Sequence, residues 1–283
     1  MKQLVWLVNF MTFSLFMVLP VHVFANSPTE LKWYGQSAFK ITTPSGKVLL
    51  IDPWITNPIN KNSAVDLAAL NKVDLILITH GHSDHIGNAL EIAKKTGAKL
   101  VATLDLGRAL VQNGGFPEKQ ADRSHMGFPG GELNLLDGEV RILFVPATHS
   151  SVVEGVEGSP LPGKVVYGGS PGGFVVAING GPTIYHTGDT DVFSDMALIG
   201  AFNMIDIMLA CIGGHFTMGP ERAALATKLV NPGIIVPMHF GSNPLLKGTP
   251  EQFAKALAAL KMDGQRPTFR EMAVGETLTW KGK

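Results

Sequence analysis

The sequence is poor in cysteine, with Cys211 alone in 283 residues. That excludes an internal disulfide framework and any zinc site built on thiolates. It is also poor in charge: Asp, Glu, Lys and Arg make up 16%, and 23 basic residues balance 23 acidic ones. A neutral chain without a basic run carries no electrostatic footprint for nucleic acid, so none is expected as a partner. Low charge beside 45% hydrophobic residues excludes disorder and leaves a chain long enough to bury a large core. There is no low-complexity tract or short repeat, which removes coiled coil and collagen. With 32 glycines and 18 prolines, the composition suits a loop-rich α/β protein.

One long apolar run is present, from Leu4 to Val21, preceded by Lys2 and interrupted late by Pro20. Val23-Phe24-Ala25 then fits the small-residue rule for signal cleavage. Residues 1–25 are expected to be a signal peptide, with a mature chain from Asn26 that is periplasmic or secreted. An uncleaved anchor is the alternative, because the run approaches bilayer length. Polar Asn9, Thr12 and Ser14 within it favour the signal peptide, and no cysteine follows to take a lipid. After cleavage no stable membrane insertion is expected.

Residues 26–283 read as one domain of short apolar strands alternating with helices. Strands are expected at 32–43, 47–51, 74–79, 100–103, 140–145, 173–178, 183–186, 206–210 and 234–238. Helices are expected at 87–96, 221–229 and 251–260. Asp74-Leu-Ile-Leu-Ile-Thr79 has the continuous apolar character of a strand buried on both faces. The mixture argues two β-sheets packed together with helices outside. The Gly/Pro-rich stretch 151–172 reads as a mobile surface loop.

Directly after the buried strand comes Thr79-His80-Gly81-His82-Ser83-Asp84-His85-Ile86-Gly87. Three imidazoles and a carboxylate fall there in quick succession, a donor set suited to zinc, iron or manganese. A loop lets His80 and His82 converge on one ion while Asp84 and His85 turn toward a second. Gly81 and Gly87 supply the backbone freedom.

His80-x-His82-x-Asp84-His85 resembles the metal motif of the metallo-β-lactamase superfamily, whose fold is a four-layer αββα sandwich. The remaining ligands implied by that resemblance arrive in order: His149 after a strand, Asp189 in a Gly-Asp setting, and His239 after another strand. Taken alone, His149 or His239 would read as a hydrogen-bonded structural histidine. The resemblance implies His80, His82 and His149 on one ion, Asp84, His85 and His239 on the other, and Asp189 bridging. Ile51-Asp52-Pro53-Trp54, Gly213-Gly214-His215-Phe216 and Val236-Pro237-Met238-His239-Phe240 further resemble a bacterial branch of metal-dependent hydrolases. That branch includes the ascorbate-6-phosphate lactonase-like proteins.

What this implies is an enzyme: a dinuclear metal-dependent hydrolase whose metal-bound hydroxide cleaves a small ester, lactone, amide or phosphodiester. The cofactors are two divalent ions, zinc first, with manganese or iron as alternatives. Asp84 is expected to orient the nucleophile as well as bind metal. His215 is a candidate proton donor or, equally, a solvated loop histidine. His186 reads as a packed or supporting histidine, and His125 as a surface residue. Asp52 is either a hydrogen-bond partner of a ligand histidine or a turn residue before Pro53. Trp33, Tyr34, Met204, Met208, Met218 and Cys211 read as packing residues. The alternatives are a periplasmic β-lactamase, a phospholipid phosphodiesterase, or a structural protein that binds metal without turnover. The substrate is expected to be a small molecule, and nothing in the sequence speaks to oligomeric state.

Overall fold

The computed structural model describes residues 27–262 and 266–281, so the leader expected at 1–25 lies outside the described residues. The first sheet begins with β1 (Thr29–Trp33), β2 (Phe39–Thr42), β3 (Val48–Ile51), β4 (Leu75–Leu77), β5 (Lys99–Thr103) and β6 (Met126–Gly127). The second sheet is formed by β7 (Glu132–Leu135), β8 (Val140–Pro146), β11 (Gly172–Ile178), β12 (Thr183–His186), β13 (Ile207–Cys211), β14 (Ile234–Met238) and β15 (Thr268–Phe269). Between them in sequence, β9 (Val152–Glu154) and β10 (Val165–Tyr167) pair as a separate two-stranded arm. The last strand, β16 (Thr277–Trp280), returns to the edge of the first sheet beside β1. The spatial orders are β16-β1-β2-β3-β4-β5-β6 and β15-β14-β13-β12-β11-β8-β7.

Each sheet is part antiparallel and part parallel. β3 to β6 run parallel, as do β12 to β15. β8 also runs with β12, because both are antiparallel to β11. Parallel strands present their C-terminal ends along one rim, where α/β sheets bind ligands.

Successive strand residues point to opposite faces, and both faces of the first sheet are apolar. Leu49, Ile51, Leu75 and Leu77 face the second sheet in one core. Leu50, Ile76, Ile78 and Leu100 face the other way, under α1 (Ser63–Ala69), α3 (Ala89–Thr96) and α4 (Leu104–Gln112). The second sheet is covered in turn by α5 (Met196–Asn203), α6 (Pro220–Val230) and α7 (Pro250–Ala259), through Ile199, Ala224 and Phe253. The result is the helix–sheet–sheet–helix sandwich expected. Each fully buried Leu or Ile contributes about 1.5–3 kcal/mol of transfer free energy, so these double-faced strands hold the rim rigidly.

Four expectations need correction. The strand read over 32–43 is two strands joined by a tight turn in which Tyr34 N–H bonds Ala38 C=O, with Gly35 and Gln36 at positive φ. The helix read over 87–96 starts at Ala89, and a separate short helix, α2 (Ser83–Ile86), precedes it. Gly87 divides them, at φ 44°, and a Cβ there would lie 2.3 Å from Trp54 Cα. The stretch 151–172 is no structureless loop, since it contains the β9–β10 arm and enters β11. Met204 is 78% exposed, capping α5 in a left-handed turn, whereas Met208 and Met218 are fully buried.

Candidate metal centre

Every residue of the histidine motif and its expected partners is delivered by a strand end. β4 leads into Thr79-His80-Gly81-His82, and α2 then carries Asp84 and His85. β8 leads to His149, β12 to Asp189, and β14 to His239. His80, His85, Asp189 and His239 are buried, while His82, Asp84 and His149 are partly open to a cleft.

The donor atoms form two linked groups. In the first, His80 Nε2 and His149 Nε2 both face His82 Nδ1, at 2.9 and 3.3 Å. In the second, His85 Nε2 and His239 Nε2 lie 3.7 and 3.4 Å from Asp84 Oδ2. Asp189 stands between them: one carboxylate oxygen is 3.0 Å from His239 Nε2 and 3.7 Å from His149 Nε2, and the other is 3.2 Å from His85 Nε2. His80-His82-His149, His80-His85-Asp189 and Asp84-His85-His239 each gather their ligand atoms within 4.8 Å. His85 Nε2, Asp189 Oδ1 and both ring nitrogens of His239 are buried without a hydrogen-bond partner. Orphaned buried polar atoms of this kind are costly unless an ion satisfies them. The convergence of imidazole nitrogens and carboxylates fits divalent cations.

The outward nitrogens are fixed by a supporting layer. His85 Nδ1 is 2.7 Å from Asp52 Oδ2, and Asp52 also accepts from Thr79 N–H at 2.8 Å and Thr79 Oγ1 at 2.7 Å. Thr79 Oγ1 in turn lies 3.0 Å from His80 Nδ1. With its own proton given to Asp52, this hydroxyl accepts from His80 Nδ1–H and leaves Nε2 as a free lone pair. Asp52 therefore takes the supporting position that the sequence offered as one of its two readings. His186 bonds Ser37 C=O through Nε2 at 3.0 Å and accepts from Gly188 N–H through Nδ1 at 3.1 Å, which seats the turn before Asp189.

Burial and then the neighbouring His85 hold His80 well below the ordinary imidazole range. Burial likewise lowers His82 and His149. Burial also opposes charge on His85 and His239, but the facing Asp189 outweighs it. His85 is raised well above its usual range and His239 to about 9. Burial disfavours charge on Asp84 and Asp189 too, yet the adjacent His239 and His85 hold both carboxyls below the usual carboxylate range.

Three supporting residues carry no readable mark in the sequence. Gln36, at φ 51° in the β1–β2 turn, donates through Nε2 to Asp84 Oδ2 at 3.0 Å, and its Oε1 accepts from Ser242 Oγ. Ser151 Oγ accepts from Gly81 N–H at 3.1 Å and donates to Gly168 C=O at 2.7 Å. A strand interrupted by Gly35-Gln36 was the only available hint for the first. Asp52 and His239 also hold positive φ, at 46° and 58°, a conformation that costs a non-glycine residue roughly 1–3 kcal/mol and clusters at functional sites.

His215 does not join this group. It is exposed and borders a neighbouring depression with Glu221 and Lys247, while the adjacent Phe216 faces the metal cleft. His125 lies half-buried on a short 3₁₀ turn, and Trp33, Tyr34 and Cys211 are buried.

Residues 47–240 match the β-lactamase superfamily domain. The chain is 55% identical over 278 residues to a UPF0173 metal-dependent hydrolase of Thermodesulfovibrio yellowstonii, covering 98% of this chain and 99% of that one. It is 49% identical over 235 residues to another from Anaeromyxobacter dehalogenans, covering 82% of each. Among solved structures it is similar to Igni18, a metallo hydrolase of the archaeon Ignicoccus hospitalis. That match has TM-score 0.74 and 36% identity over 91% of this chain and 100% of that one. An isothiocyanate hydrolase from Delia radicum gut bacteria shares the fold, with TM-score 0.63 at 20% identity, over 89% of this chain and 99% of that one. The chain belongs to the metallo-β-lactamase superfamily, among its UPF0173 metal-dependent hydrolases.

Proposed function

We propose that this chain, a metal-dependent hydrolase by family, works through a dinuclear centre held by its seven converging ligands. The observation that carries the reading is Asp189, buried between two three-residue donor groups and within 4.0 Å of a nitrogen from each. His80, His82 and His149 would hold one ion and Asp84, His85 and His239 the other, with Asp189 shared. Divalent ions so placed acidify water to near-neutral pKa and polarise a carbonyl or phosphoryl oxygen. Zinc suits the imidazole-rich set, and manganese or iron is compatible with it.

The protein's part is orientation. Asp52 and Thr79 fix the rings of His85 and His80, so each presents Nε2 inward. Gln36, tied to Ser242, holds Asp84 at the floor of the cleft, where its carboxylate can align an attacking water. The net reaction adds water across an ester, lactone, amide or phosphodiester bond. The water oxygen joins the acyl or phosphoryl centre, and the bond to the leaving group breaks as a proton passes to it. His215 has no part in this reading.

Metal content per chain tests it. Wild type is expected to hold about two equivalents and Asp189→Ala fewer than one, with turnover lost in parallel. Less than half an equivalent in wild type, unchanged in the variant and not restored by added metal, overturns it and leaves a structural protein. The reading also places the chain outside the cytoplasm, supported by the apolar run and the Val23-Phe24-Ala25 cleavage pattern. N-terminal sequencing of the exported protein is expected to begin at Asn26, and an intact Met1 on cytoplasmic protein would overturn it.

A further inference from the structure

The ligands open into a cleft of about 990 Å³, at the large end for a small-molecule site. Its chemistry changes with distance from the floor. The floor is polar, with His82, Asp84, His149, Asp189 and His239. The walls and lip include Trp54, Val152, Val156, Val165, Phe216 and Leu246, and among the described residues the only charges there are Glu154 and Glu157. Among the described residues, no lysine or arginine lines it. Lys247, which follows Leu246 in sequence, borders the separate depression beside His215.

Two of these apolar side chains stand exposed on the β9–β10 arm, Val165 at 65% and Val156 at 39%, and Phe216 is 49% exposed. The arm is tethered where it meets the site. Val156 N–H bonds Asn113 C=O at 2.8 Å beyond the end of α4, and Ser151 joins its base to the His80-Gly81-His82 turn. Exposed apolar surface on a fixed backbone beside a reactive floor marks a binding surface. A phosphate or carboxylate away from the floor would there lose water without gaining a cation, and would meet two glutamates instead.

We propose that the cleft selects uncharged substrates: an ester, lactone or amide carrying an apolar chain or ring that lies along Val152, Val156, Val165 and Phe216, and not one bearing phosphate or carboxylate at its distal end. This rests on the hydrolase reading of the cleft. It argues against a sugar-phosphate lactone as substrate, and so separates this chain in specificity from the ascorbate-6-phosphate lactonase-like proteins it resembles.

The test uses two hydroxamates that ligate zinc at one end and differ only at the other, N-hydroxyhexanamide and its analogue with a terminal carboxylate in place of the methyl. Their binding to the zinc-loaded full chain is measured by calorimetry, without turnover. The neutral probe is expected to bind at least about tenfold tighter, as a carboxylate desolvated beside apolar walls and without a partner requires. Val156→Lys, at an exposed position of the lip, is expected to leave zinc content unchanged and bring the two probes within about threefold by tightening the charged one. Equal affinities in wild type, a tighter carboxylate probe, or no binding of either to zinc-loaded protein overturns the proposal. A chain that takes up no zinc overturns the underlying metal-centre reading instead.

Discussion

The two halves of the donor cluster are three histidines on one side and two histidines with an aspartate on the other, and they are prepared in opposite ways. In the His80-His82-His149 half, burial keeps all three rings neutral, and their inward nitrogens come within 2.9 and 3.3 Å of one another, His80 oriented by Thr79 Oγ1. In the Asp84-His85-His239 half, the carboxylates are ionised and the rings are drawn toward the protonated form, so protons do the work that an ion would do. The first half presents neutral imidazoles, the form that binds a cation. In the second, contacts with Asp84 and Asp189 offset part of the charge, yet His85 Nε2, Asp189 Oδ1 and both ring nitrogens of His239 still lack a hydrogen-bond partner. Asp189 faces both and links them.

The comparison breaks most sharply at His239. His239→Ala is expected to remove the ion of the second half while leaving the first, so metal content falls from about two equivalents toward one. Turnover should fall by more than about a hundredfold, since even supporting residues of metal sites are worth 10- to 100-fold. Metal analysis beside kinetics checks it, and loss of both equivalents would show that the halves cannot be occupied separately. Asp52→Asn comes next. It keeps the shape but replaces the acceptor facing His85 Nδ1, so affinity for the second ion should weaken by about 10- to 100-fold and the first by less. Stepwise metal titration distinguishes the two, and equal weakening would mean that the Thr79 link to His80 carries as much orientation as the direct bond to His85.

This division explains what the sequence could reveal. The candidate ligands were legible because they fall just beyond strand ends, most plainly after strands whose two faces are both apolar. A run such as Leu75-Ile-Leu-Ile78 buries toward the second sheet and toward the helices at once, and it must end at the rim. Gln36 and Ser151 were not, because their roles arise from backbone that comes together only in three dimensions. Gln36 is aimed by a left-handed turn that splits one apparent strand into two. The arm at 151–172 was hidden by its glycines and prolines, which read as loop composition although backbone pairing holds Val152–Glu154 to Val165–Tyr167. His215 shows the reverse: a histidine in a Gly-Gly loop beside the site looked usable, but the turn at φ 57° leaves it outside and sends Phe216 in.

The smallest expected effect separates the halves through protons. In the metal-free fold, His239 titrates at about 9 against about 6.5 when unfolded. Its proton therefore stabilises that fold in full below about pH 6.5, and the contribution is lost as pH rises through about 9. An ion entering the second half must displace this proton and the one favoured on His85, whereas His80, His82 and His149 have none to give at pH 7. Zinc titrated at pH 7 in buffers of different ionisation enthalpy is expected to release about one to two protons with the second-half equivalent and close to none from the first-half rings. His239→Ala should abolish the larger release together with the equivalent that causes it, and second-half affinity in wild type should rise with pH toward 9 while the first stays nearly flat. Equal proton release with both equivalents would show that the halves are charged alike, and that Asp189 alone, without the burial of His80, His82 and His149, sets the protonation of the whole cluster.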